Sequence, residues 1–289
     1  MAIALPARPQ LITAAVIAGT FAAMLLLERL RPLRRARESK LRRTARNLTT
    51  GGIALALATL FTAPLLTPVT AWVAEHHAGL LNLTRIRGSL HLILGVLLLD
   101  YTLWIWHFLS HRVAFLWRFH VVHHVDRDLD SSTALRFHFG EHALSILYRA
   151  LQVLLLGVTA RELWLWQLVL FVSILFHHAN IELPIRLERW LVRVIVTPRM
   201  HGIHHSDHLS ETDSNWSSLL SAWDYLHGTI LLSVPQSEIT IGVPAYQDPR
   251  DVTLGRILAM PFLRQRRDFH RSDGTLQTRE PAPARATLT

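Results

Sequence analysis

Residues 90–111 read LHLILGVLLLDYTLWIWHFLSH, an apolar run of membrane length that ends in the histidine pair His107-x3-His111. Four residues apart on a helix, the two imidazoles stand one turn apart on one face. The run before them, residues 90–106, is long enough to cross a bilayer. A span that carries paired ligands to its own end predicts a metal centre at a membrane face. Two trios follow, His120-x2-His123-His124 and His201-x2-His204-His205. In each, the first imidazole can share a metal with either of the others.

Working outward, two more apolar stretches precede this one, residues 11–27 and 51–73, each long enough to span. No basic segment leads the first and Glu28-Arg29 follow it at once, a poor fit to a cleaved signal peptide. Residues 143–176 are also apolar but broken by Arg149 and Arg161-Glu162. They predict a hairpin of two short helices, spanning or re-entrant. Of 30 Lys and Arg residues, nine fall between Arg29 and Arg46. A basic loop directly after a span marks the cytoplasmic side. Counting crossings from there puts the N-terminus and residues 74–88 outside, and every histidine motif inside.

The expected fold is therefore an all-α integral membrane protein. It would be a bundle of about four to five membrane helices, one pair a short hairpin, under a cytosolic histidine-rich helical cap. Residues 1–88 read as membrane helices and basic loop, 89–263 as the catalytic domain. Residues 264–289, charged and rich in Pro, Ala and Thr, read as a disordered tail.

Composition narrows the chemistry. Half of the 289 residues are hydrophobic, 18 are histidine and none is cysteine. Disulfides, iron–sulfur clusters, thiolate haem and zinc fingers are thereby excluded, and any metal must be held by nitrogen and oxygen. The formal charge of +9 comes with no base-stacking or groove-reading motif, which argues against nucleic acid. A pair and two trios offer more imidazoles than one tetrahedral ion uses, so two ions are expected. Imidazole suits zinc, iron, copper and nickel alike. Carboxylates near such an array can accept ring N–H groups. Asp100 stands two turns before His107 inside its span, and Asp126, Asp130 and Asp224 are further candidates. An alternative for Asp100 is an ion pair with an arginine of a neighbouring helix. His76, His77, His91, His208, His227 and His270 lack ligand spacing to the motifs.

The motif order resembles the fatty acid hydroxylase superfamily, also called the sterol desaturase family. His107-x3-His111 and His120-x2-His123-His124 are followed by Ser132-Thr133-Ala134-x-Arg136-x-His138-x2-Glu141. Then come Phe176-His177-His178-Ala179-Asn180, His201-x2-His204-His205, Asn215-Trp216 and Trp223-Asp224. The likeness covers roughly residues 90–260. It implies a cytoplasm-facing di-iron centre held by His107, His111, His120, His123, His124, His201, His204 and His205. His138 and His178 match further family histidines; His142 and His177 do not. Glu141 and Asn180, inside matched motifs, join the supporting candidates. Phe139 stands where a proline usually follows the histidine, and Tyr225 and His227 depart from the family's last motif.

The resemblance implies a lipid hydroxylase or desaturase that uses O2 and two external electrons on a substrate entering from the bilayer. No nucleotide-binding glycine fingerprint occurs, so the electrons would come from a separate donor protein. One alternative keeps the scaffold and loads zinc, giving a membrane hydrolase or lyase with Glu141 as base. Purified protein could in any case carry zinc. A metal transporter or bis-histidine haem protein is disfavoured, because the histidines follow the spans and do not line them.

Overall fold

The computed structural model describes residues 8–266, 268–270 and 274–278. It is helical, with only isolated bridges and no strand among the described residues. In chain order the helices are α1 (Pro9–Leu30), α2 (Lys40–His76), α3 (Leu80–Leu83), α4 (Gly88–Arg112), α5 (Ala114–His124) and α6 (Phe139–Leu156). They continue with α7 (Ala160–His178), α8 (Ile185–Leu191), α9 (Pro198–His204), α10 (Leu209–Thr212), α11 (Ala222–His227) and α12 (Leu254–Ala259).

Four helical segments are long and apolar enough to cross a membrane: Pro9–Leu30, Lys40–Leu83, Gly88–Arg112 and Ala160–His178. With a rise of about 1.5 Å per residue, even the 19-residue α7 approaches the thickness of a hydrocarbon core. Leu55 and Leu60 of α2 lie exposed, as lipid-facing side chains do, and so do Leu147 and Leu155 of the shorter α6. An apolar cluster built on Leu99, Val153, Leu163, Trp166 and Leu170 joins α4, α6 and α7.

Helix α2 is longer than the span read at residues 51–73. It begins at Lys40 and runs 37 residues, with Pro64 and Pro68 inside it. Its first turns are polar on one face, where Arg43, Asn47 and Thr50 are buried. The predicted hairpin is α6 and α7. Gly157 caps α6 in the left-handed region at φ 76°, and Thr159 opens α7 with Glu162 in a reciprocal capping box.

The two ends of the bundle differ. At one, the end of α1, the start of α2, the end of α4, the start of α6 and the end of α7 converge beneath α5 and α9. Glu28 accepts from the Ser131 and Asn180 amides and from Lys40, and Arg43 reaches Asp126. At the other, Asn82 donates to the Gly157 carbonyl and His91 pairs with Glu162 at 2.6 Å. The Gly79 and Gly157 backbones touch here. A Cβ on Gly157 would stand 2.6 Å from the Ala78 carbonyl oxygen, on a residue at positive φ. Gly157→Ala is therefore expected to cost about 2 kcal/mol or more, seen as a lower melting temperature in detergent. An unchanged transition would show that this contact is not tight.

Two segments look different from their composition. The basic stretch does not simply face outward: Arg43 is buried, and Arg34 bonds the Pro198 carbonyl and Gln236. Residues at the start of the expected tail are packed, since Trp117 donates to Asp268 and Phe269 is buried. Arg266 pairs with Asp251 at 2.7 Å. Residue 267, residues 271–273 and residues 279–289 of the expected tail lie outside the described residues.

Candidate metal centre

Nine histidines meet at the end of the bundle that holds α5 and α9, in two groups. His107, His111, His120, His124 and His204 form one; His123, His178, His201 and His205 form the other. Helical geometry divides each trio. The i, i+4 pair His120/His124 joins the first group and His123 crosses to the second. His201/His205 stay in the second group and His204 crosses to the first. The two HxxHH motifs thus exchange their middle histidines.

The rings are aimed by bonds on their far side. His107 donates through Nδ1 to the Trp216 carbonyl at 2.7 Å, His204 to the Ser214 carbonyl at 2.7 Å, and His178 to the Ile174 carbonyl at 2.9 Å. His120 donates through Nδ1 to Glu141 Oε1 at 2.7 Å. A neutral imidazole carries one N–H, so these four rings turn a bare Nε2 lone pair inward.

Inside, the nitrogens crowd. Nε2 of His178 lies 3.0 Å from Nε2 of both His123 and His201, and His201 lies 3.1 Å from His205. His120 and His124 are 3.2 Å apart, and Nε2 of His111 and of His204 is buried with no hydrogen-bond partner. Ligand bonds of about 2.1 Å at right angles would set neighbouring nitrogens about 3.0 Å apart. Converging lone pairs at this spacing fit two bound cations. The donor set is all imidazole, suited to iron or zinc and not to calcium or magnesium.

Burial, reinforced by neighbouring rings, holds His123, His124, His201 and His205 well below the usual imidazole range. Burial likewise drops His204 to about 3. These groups stay neutral, as metal ligands must. The same shifts set a pH dependence. A buried imidazole with a depressed pKa takes no proton in the folded state, while the unfolded chain does below about pH 6.5. Metal-stripped protein should therefore lose stability as pH falls through about 6.5, by up to about 1.4 kcal/mol per pH unit for each such histidine. Melting curves with a chelator at pH 7.5 and 5.5 test this; equal curves would contradict the depressed values.

Of ten histidines expected at the metals, His138 stands in neither group. Its Nδ1 accepts from the Gly140 amide and caps α6, and its Nε2 donates to the Leu258 carbonyl of α12, so both ring nitrogens are engaged away from the metals. His177 is buried with its ring 4.2 Å from that of His201, yet also belongs to neither group.

The supporting candidates separate by what they touch. Glu141 alone reaches a histidine of the groups directly. Asp224 acts through the backbone, accepting from the Trp216 and Ser217 amides and the Trp104 indole. Asp126 and Asp130 bond Arg43 instead. Burial would raise the Asp126 carboxyl, but Arg43, Arg136 and Arg46 outweigh it and hold it at about 2. Asp100 accepts from the Trp223 indole and the Leu220 amide, so it neither orients His107 nor pairs with an arginine. Asn180 clasps the Arg34 backbone.

One contributor, read in the sequence only as part of the Asn215-Trp216 motif, has a role that the motif did not reveal. Asn215 sits between the two carbonyls that receive His204 and His107, at φ 54°. Its side chain donates to the Met200 and Leu231 carbonyls and accepts from the Leu231 amide. Asparagine tolerates this left-handed turn better than most residues, and here it points both carbonyls at ring N–H groups. Asn215→Ala should weaken metal binding at the five-histidine group about 10–100-fold, as losing an outer support does elsewhere. A competitive chelator titration reads this, and unchanged affinity would remove the role.

Comparison with known proteins places this geometry. Residues 92–229 match the family model described as fatty acid hydroxylase. The chain is 28% identical over 263 residues to the ornithine lipid hydroxylase of Rhizobium tropici, covering 87% of this chain and 76% of that protein. It is 29% identical over 141 residues to a cholesterol 25-hydroxylase-like protein of Danio rerio, 47% of this chain and 53% of the relative. With the cholesterol 25-hydroxylase of Mus musculus it shares 26% over 151 residues, 51% and 49% of the two chains. The chain thus spans about half the length of the two cholesterol hydroxylase relatives. No solved structure matches it significantly. All nine clustered histidines, from His107 to His205, stand in the ordered motifs read above and inside residues 92–229, the part of the chain that is similar to the fatty acid hydroxylase family.

Proposed function

We propose that this protein is an integral-membrane di-iron oxygenase that hydroxylates a C–H bond of a membrane lipid. The observation that carries the reading is the pair of all-imidazole groups whose Nε2 atoms converge at contact distance. Two irons held there would supply O2 activation and oxidation of an unactivated C–H bond. His107, His111, His120, His124 and His204 would hold one, and His123, His178, His201 and His205 the other. The chain's own part is positional. Glu141, Ser214 and Trp216 fix ring orientation, Asp224 and Asn215 fix the carbonyls, and the buried cap keeps water from the reacting carbon. Hydroxylation is preferred to desaturation because the named relatives are hydroxylases. The ornithine lipid hydroxylase, related along most of the chain, favours a polar lipid as substrate.

The two electrons are assigned to a separate donor protein. The cap is assigned to the cytoplasmic face, from the exposed Arg29, Arg31, Arg35, Arg37 and Arg42 around the start of α2. Glu141 is engaged by His120, which suits a ligand support better than the base of a zinc hydrolase. Detergent-purified protein should contain close to two irons after reconstitution. Given a donor and lipid extract under labelled O2, it should place one labelled oxygen in a lipid product. Two zinc ions with O2-independent turnover would overturn the reading.

A further inference from the structure

The arginine that breaks the apolar stretch of α6 has no role in the centre above. Arg149 lies about 12 Å along α6 from Glu141, at about 1.5 Å per residue, and so deep among the membrane helices. Its guanidinium packs over Trp166 of α7 at 4.1 Å, and its Nη1 is buried with no partner. No carboxylate pairs with it among the described residues; Asp100, the acid inside α4, is turned to Trp223 and Leu220. An ionised side chain in such surroundings is expensive unless something neutralises it.

Two neighbours are also incomplete. Trp166 is wholly buried, yet its indole N–H has no acceptor. Gln152, one turn beyond Arg149, gives its amide to Thr102 and the Leu99 carbonyl and leaves Oε1 unpaired and buried. Two donors and one acceptor therefore stand open at the junction of α4, α6 and α7, inside the apolar cluster of Leu99, Val153, Leu163 and Leu170. Buried polar groups in native proteins are ordinarily satisfied, so three together indicate a bound partner. The partner must be anionic to match the guanidinium, accept from Arg149 and Trp166, and carry an apolar body to reach this depth.

We propose that Arg149, Trp166 and Gln152 form a binding site for the oxyanion of an amphiphile, a carboxylate or a phosphate. Arg149 and the Trp166 N–H take the anionic oxygens, and Gln152 Oε1 accepts an O–H or N–H beside them. The 12 Å to the level of Glu141 lets a chain anchored here extend toward the histidine centre. The site deepens the lipid reading above by requiring an acidic group on the bound lipid. It is tested by binding, without turnover, so its failure would leave the hydroxylase reading standing.

The experiment is a thermal-shift titration of the full-length protein in neutral detergent with oleate, dioleoylphosphatidylglycerol or oleyl alcohol. An anion at about 100 times its Kd should raise the melting temperature by about 5 °C or more, and the alcohol should not. Response to oleate alone identifies a free acid end, and response to the phospholipid alone a bilayer phosphate. Arg149→Gln should abolish the shift and Arg149→Lys keep part of it. Should Arg149→Gln not fold, Trp166→Phe, which removes only the indole N–H, should reduce the shift. An equal response to the alcohol, no response to either anion, or full responses in Arg149→Gln or Trp166→Phe would overturn the site.

Discussion

Replacing His204 with alanine is expected to strip metal from the five-histidine group and reduce lipid hydroxylation by more than two orders of magnitude. Losing an outer support typically costs about 10–100-fold, and losing a ligand costs more. His204 is the α9 contribution to a group otherwise drawn from α4 and α5, so no neighbour on its own helix replaces it. Its Nδ1 bond to the Ser214 carbonyl leaves Nε2 as the free donor atom. Metal analysis by mass spectrometry on purified wild type and His204→Ala reads the first part, and product formation the second. The His123→Ala, His204→Ala double variant removes one crossing histidine from each group and should hold almost no metal. Full metal content in the double variant would refute the assignment of these groups.

Arg43→Met should be the most destabilising change outside the histidines, by about 3–5 kcal/mol. Arg43 bonds Asp126 at 2.9 Å, Thr133 at 3.1 Å and the Asp128 carbonyl at 3.2 Å, and also pairs with Asp130. The substitution strands Asp130, whose carboxylate otherwise meets only Ser132, as a buried charge without a cation. The segment it holds joins α5, which carries three histidines, to α6, which carries Glu141. A fall in the unfolding transition and weaker metal retention are both expected. Comparing Arg43→Met with Arg43→Lys separates charge from fork geometry, since lysine can meet one carboxylate but not span both. A transition within 1 °C of wild type in Arg43→Met would show the clamp to be idle.

How much of this could be read from the chain follows from what each feature depends on. The spans at residues 11–27, 51–73 and 90–106 were legible because bilayer thickness sets an apolar length. The histidine motifs were legible because coordination demands helical spacing. The extension of α2 back to Lys40 was hidden, since Arg43 and Asn47 look like solvated loop residues until Asp126 is seen beside them. The crossing of His123 and His204 follows from helix faces, but only once α5 and α9 are known to oppose each other. His138 and Asp100 show the limit of such arguments, because each found hydrogen-bond partners elsewhere, Leu258 for the one and Trp223 and Leu220 for the other, that lie more than 100 residues away in sequence. The carbonyls of Ser214 and Trp216 left no trace, because every residue type carries one.

The exchange of middle histidines has a consequence for assembly. Helices α5 and α9 each contribute to both groups, so whichever group fills first fixes the relative position of two helices that the other also needs. The ordering entropy is then met once, and the second ion binds a preorganised set. Uptake should be cooperative, and in native mass spectrometry the half-loaded protein should stay scarce beside the empty and fully loaded forms. In a chain without a single cysteine, two ions held there would together do the cross-linking that disulfides do elsewhere, tying helices nearly 100 residues apart.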